Sequence, residues 1–138
     1  MSDFRTTFTV DRTPEEVFAA INDVRGWWTG DIQGGSDALG DEFTYRHEDV
    51  HRSTQRVTHL VPGRRVEWLV TDAHLSFSAD PAEWEGTRVV FDIRPGQDGT
   101  EVSFTHVGLS PEAECYESCS SAWGYFVNGR LRRRITAA

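Results

Sequence analysis

Hydrophobic and polar residues alternate along most of this chain, and one long stretch near its end follows a different period. Phe4 to Val10 alternates with one apolar face, which predicts a strand. Thr13-Pro14-Glu15-Glu16 predicts a helix start, with a threonine cap, proline at the first helical position and Glu16 completing a capping box. Val17, Phe18, Ala20 and Ile21 give that short helix its apolar face, and a second short helical segment from Val24 ends at Trp27-Trp28. Residues 29–41, rich in glycine and aspartate, read as loop. Alternation then returns. Residues 42–47 place Phe43, Tyr45 and His47 on one face, and residues 52–61 do the same for Val57, His59 and Val61. Pro62-Gly63 marks a turn, Val66, Trp68 and Val70 continue the pattern, and 75–78 reads as a short edge strand. Beyond an 80–86 loop, Val89, Phe91 and Ile93 face inward. A hairpin loop at 95–99 leads to Val102, Phe104 and His106 facing inward.

The last quarter has the helical period. Ser110-Pro111-Glu112 reads as a capped start, and Cys115, Tyr116, Cys119, Ala122, Trp123, Phe126 and Val127 recur along one stripe. A long helix to about residue 135 follows, with Arg130, Arg132, Arg133 and Arg134 at the negative end of its dipole. The order is strand, two short helices, five or six antiparallel strands, long helix. It predicts an α+β fold whose sheet has one face covered by that helix.

At 138 residues, one domain spanning 1–138 is the expectation. The net charge of −8 argues against nucleic acid as a partner, since a phosphate footprint needs clustered basic residues. All 14 basic residues are arginine, which excludes lysine Schiff-base chemistry and a P-loop lysine. No apolar run approaches a membrane span and no signal-peptide layout opens the chain, so the expected location is the cytoplasm. Cys115 and Cys119, four apart on a helix, are poorly placed for a disulfide and read as reduced thiols.

Several strings carry a family likeness: Thr13-Pro14-Glu15-Glu16-Val17-Phe18, the Trp27-Trp28 pair, Val61-Pro62-Gly63-Arg64-Arg65-Val66-Glu67-Trp68 and Trp84-Glu85-Gly86-Thr87. Most specific is Phe104-Thr105-His106-Val107-Gly108-Leu109 with the following Cys115-Tyr116, Cys119-Ser120 and Trp123. Over nearly its whole length the chain resembles the activator of heat-shock-protein ATPase-like branch of the START-like (SRPBCC, helix-grip) superfamily. The resemblance implies a curved antiparallel sheet of six to seven strands wrapped around a long C-terminal helix, with a cavity between them. Many superfamily members bind apolar small molecules there, some are cyclase-type enzymes, and the name-giving co-chaperones act through protein surfaces.

Two strings invite a metal. His47-Glu48-Asp49-Val50-His51 matches H-E-x-x-H, which holds zinc only when a helix puts both histidines on one face. Its flanks read as strands, so the expectation is a polar hairpin turn with the two histidines paired across it. His106, Cys115 and Cys119 supply zinc-type donors, but their spacing is not a recurrent zinc pattern, and buried thiols commonly pack as small hydrophobes. No metal and no cofactor are expected. No nucleophile elbow or glycine-rich phosphate loop is present.

The expected ligand-binding set is Phe43, Tyr45, Trp68, Phe91, Phe104, His106, Tyr116, Cys119 and Trp123: an aromatic wall with His106 and Cys119 orienting a polar group. The leading function is binding of an apolar or aromatic small molecule. The alternative is a protein-interaction module of co-chaperone or regulatory type, and a third is an enzyme using His106 as general acid or base. The assembly expected is a monomer or homodimer.

Overall fold

A computed structural model describes residues 3–28, 30–48, 50–76, 82, 84–109 and 116–137. The expected helix start at 110–112, together with Cys115, lies outside them. Strand β1 (Phe4–Val10) leads into α1 (Pro14–Asn22), then a single 3-10 turn (Val24–Gly26). The expected capping box at the start of α1 is formed in both directions, Glu16 N–H to Thr13 Oγ1 at 3.1 Å and Thr13 N–H to Glu16 Oε1 at 3.0 Å. Six strands follow: β2 (Asp31–Gly34), β3 (Glu42–His47), β4 (His51–Val61), β5 (Arg65–Leu75), β6 (Arg88–Gly96) and β7 (Gly99–Val107). They form one antiparallel sheet in the order β1-β7-β6-β5-β4-β3-β2. Helix α2 (Tyr116–Trp123), a π-helical segment (Gly124–Leu131) and α3 (Arg132–Ala137) then run on without a break.

The sheet agrees with the alternation except in three places. β2 falls inside the segment read as loop; it is a four-residue edge strand paired with β3. Of the edge strand expected at 75–78, Leu75 is the last residue of an eleven-residue β5, Ser76 is a turn, and residues 77 and 78 lie outside the described residues. The third difference changes side-chain directions. In β4, Ser53, Gln55 and Val57 point inward, but the pairing with β5 shifts between Val57 and His59. One extra residue reverses the parity, since side chains alternate strictly along a strand. Leu60 therefore packs against the core, whereas His59 and Val61 lie on the outer face, His59 Nδ1 3.4 Å from Glu67. The expectation that Val57, His59 and Val61 share one face is thus corrected.

The helix buries Cys119, Trp123, Val127, Leu131 and Ile135, a strict four-residue row. In a regular α-helix each step of four drifts by about 40° around the axis, so such a row would wind off the sheet. The wider i→i+5 turn of the π segment takes up that drift and keeps the row on the core. Ala122 and Phe126, expected within the stripe, lie at its margin, exposed and half-buried. The C-terminal arginines fasten this rod to the first helix. Arg130 Nε donates to the Trp27 carbonyl at 3.0 Å, Arg134 pairs with Asp23, and Arg12 donates to the Thr136 carbonyl at 2.6 Å. Among the described residues, no helix is long and apolar enough to cross a membrane.

Candidate functional site

The five tryptophans, far apart in sequence and all buried, meet in one connected stack between sheet and helix. Trp27 and Trp28 stack on Trp68 with centroids 6.4 and 6.2 Å apart. Trp28 reaches Trp123 at 5.0 Å, and Trp123 lies nearly parallel to Trp84 at 5.7 Å. Phe43, Phe91 and Phe104 pack edge-on or tilted against Trp68 and Trp123. Such contacts add to the stabilisation from simple area burial.

At the end of the stack beside the β3–β4 turn, the filled interior opens into a cleft of about 410 Å³. Tyr45 and His47 of β3, Val50, His51 at the start of β4, Trp28 and Trp84 form one side. Cys119, Ala122, Trp123 and Phe126 of the C-terminal helix form the other. Tyr45 stacks on Trp28 at 4.1 Å, and burial pushes its hydroxyl pKa up to about 12. Gly30 lies against the Tyr45 ring at φ +153°, and a Cβ there would fall 2.7 Å from the ring, so the close approach requires glycine. His47 and His51 are register partners flanking the turn, so the H-E-x-x-H string lies across a hairpin and not along one helical face. Among the described residues, no cluster of three or more His, Cys, Asp or Glu side chains is placed to hold a metal ion.

Two histidines bracket Trp84, each edge to face: the buried His106 at 4.7 Å and the partly buried His51 at 4.8 Å. His106 is closed off. Trp123 Nε1 donates to its Nδ1 at 3.0 Å, which fixes the proton on Nε2. Nε2 then donates to Thr87 Oγ1 at 2.9 Å, and Thr87 passes its own proton to the Trp84 carbonyl at 2.5 Å. Burial, with the neighbouring His51 adding to it, lowers the His106 pKa to about 3, so the ring is neutral. Gly108 backs this arrangement at φ +103°; a Cβ there would sit 2.6 Å from the Thr87 methyl.

His51 ends a polar row along the inner face of β4. Gln55 Nε2 donates to Ser53 Oγ, and Ser53 lies 3.0 Å from His51 Nε2. Ser53 Oγ, with one proton and two lone pairs, thus joins the Gln55 amide to the His51 ring. Burial, and secondarily the nearby His47, lowers the His51 pKa to about 4. Among the described residues the lining is therefore aromatic and apolar, with neutral imidazole at its edge and neither arginine nor carboxylate.

A family model described as "Activator of Hsp90 ATPase homolog 1-like protein" matches residues 11–135. The chain belongs to this family. No protein in the curated set matches it in sequence. Among solved structures, the Aha1 dimer from Colwellia psychrerythraea superposes with a TM-score of 0.78 at 23% identity, covering 99% of this chain and 97% of that one. Protein MLL2253 from Mesorhizobium loti gives 0.75 at 17% identity over 96% and 95%. A protein from Rhizobium leguminosarum gives 0.74 at 12% identity over 99% and 95%. At these identities the likeness is one of fold, the seven-stranded sheet with its C-terminal helix.

In this Activator of Hsp90 ATPase homolog 1-like chain the nine residues expected to bind ligand divide into three groups. Tyr45, Cys119 and Trp123 line the cleft. Phe43, Trp68, Phe91, Phe104 and His106 are buried behind it, in the filled part of the stack. Tyr116, half-buried at the start of α2, lies outside the lining. The lining residues that pattern reading missed are Trp28, His47, Val50, His51, Trp84 and Ala122; Phe126, on the helix stripe read from the sequence, lines the cleft too. Trp84 lay in a stretch read as solvated loop. An isolated tryptophan among acids and glycine, in Trp84-Glu85-Gly86-Thr87, was the available signal, because a lone large aromatic in a polar loop needs somewhere to be buried.

Proposed function

We propose that this protein binds a flat, apolar small molecule in the cleft between the β3–β4 turn and the C-terminal helix. The carrying observation is the combination of a filled aromatic interior with one aromatic-lined cleft of about 410 Å³. That volume is in the range of small-molecule sites, which are mostly apolar with a few fixed polar groups. Thermal denaturation against a panel of one- to three-ring aromatics tests the reading. A ligand at one hundred times its Kd adds about 2.7 kcal/mol of stability. A panel that leaves the midpoint unmoved for every compound overturns it.

The enzyme reading loses its main support, because both ring nitrogens of His106 are held by protein groups and the residue is fully buried. The interaction reading calls for an exposed apolar face. The exposed large apolar residues Leu39, Val50, Val61 and Tyr125 come from four separate segments, and Val50 already belongs to the cleft. One relative of this fold was solved as a dimer; sedimentation of this chain tests whether it also self-associates.

A further inference from the structure

Resting on the reading of the cleft as a binding site, we propose the class of its occupant: a neutral aromatic molecule bearing a hydrogen-bond acceptor oxygen, such as a ketone or quinone carbonyl. The acceptor is received by the indole N–H of Trp84, beside the ring of His51. The first support is Trp84 itself. It is 3% exposed, it lines the cleft, and its Nε1 has no acceptor among the described residues. Buried indole N–H groups normally find a partner. Trp27 donates to the Ile21 carbonyl and Trp123 to His106. Trp68 Nε1 also lacks a partner, but it lies outside the cleft lining, on the strand neighbouring Gln55, whose Oε1 is likewise unpartnered.

The second support is the polar row of β4. Gln55 donates to Ser53, and Ser53 engages His51 Nε2, which leaves Nδ1 as the remaining polar atom of the ring. His51 and Trp84 are in ring contact, with centroids 4.8 Å apart, and both line the cleft. The third support is the absence of charge. Among the described residues, the lining has no arginine to receive a carboxylate, and the protein's net charge of −8 repels anions. Nor do the described lining residues include a carboxylate to hold a cation, and Tyr45 and Trp123 already cover one face each of Trp28 and Trp84.

Four probes of one shape test this by calorimetry: naphthalene, 2-acetonaphthone, 2-naphthoate and 2-naphthyltrimethylammonium. The expected order places 2-acetonaphthone about fivefold to tenfold tighter than naphthalene, the return on one hydrogen bond to a buried donor. Both charged probes bind more weakly than naphthalene. Trp84→Phe, which keeps a ring and removes the N–H, erases the preference while retaining naphthalene binding. In case that variant misfolds, the wild-type Trp84 indole N–H resonance gives an independent readout. It moves downfield with 2-acetonaphthone and not with naphthalene. Equal affinity for the two neutral probes, a preference that survives Trp84→Phe, an unmoved indole resonance, or tightest binding of either charged probe overturns the inference while the cleft keeps its role. Binding by none of the four overturns both.

Discussion

His106 and His51 stand on either side of the same indole at almost the same distance, and their surroundings differ. His106 has a protein partner on each ring nitrogen, Trp123 on one and Thr87 on the other, and contributes nothing to the cleft. His51 has Ser53 on one nitrogen and lines the cleft with the rest of its ring. The same residue type is thus a fastening in one place and part of a cleft wall in the other. Both burial and the number of satisfied ring nitrogens distinguish them: His106 is fully buried with two partners, His51 partly buried with one.

The largest expected effect tests what the two rings share. Both pKa values are lowered from 6.5, to about 3 for His106 and about 4 for His51. A histidine whose folded pKa is depressed binds a proton more readily when unfolded. The stability it supports is fully present above about pH 6.5 and is lost as pH falls from there toward the folded pKa. Two such groups should together cost about 4 kcal/mol between about pH 7.5 and about pH 5, read from urea unfolding at both values. A loss under about 1 kcal/mol would contradict the neutral state of the pair.

The next effect separates them. His106→Phe leaves the Trp123 N–H and Thr87 hydroxyl without their partner, an expected loss of about 2 kcal/mol at neutral pH. His51→Phe removes one bond at the cleft edge and should cost about half as much. Equal losses would erase the distinction. Thr87→Val, which removes the bonds to His106 and to the Trp84 carbonyl, should cost about 1 kcal/mol in urea unfolding. Smallest in stability is Ala122→Trp, at an exposed position on the cleft wall. It should change unfolding free energy by no more than about 0.5 kcal/mol and abolish naphthalene binding in calorimetry.

The sheet was legible because alternation reports which face of each strand is buried, and Phe43, Tyr45, Trp68, Phe91 and Phe104 all point inward as it requires. His59 was not, because one bulged residue reverses every later side chain and leaves no trace in composition. The helix was legible as a helix, but its π segment was not. The four-residue row Cys119, Trp123, Val127, Leu131 and Ile135 stands in the sequence, yet it reads as α-helical unless the drift is followed over several turns. The site itself was half legible. Residues on periodic elements were found, and the division between filled core and open cleft was not, because both are built from inward aromatics. Trp84 and Trp28 sit where periodicity ends, in a loop and just past a helical turn, and only tertiary packing assigns them a direction.

The most direct test uses the tryptophans as reporters. Each of the five gives its own indole N–H resonance, and three of them line the cleft. On titration with 2-acetonaphthone, the account predicts saturable shifts of the Trp28, Trp84 and Trp123 resonances, with Trp27 and Trp68 nearly still. No saturable shift in any of the five, or shifts led by Trp27 and Trp68, would contradict it.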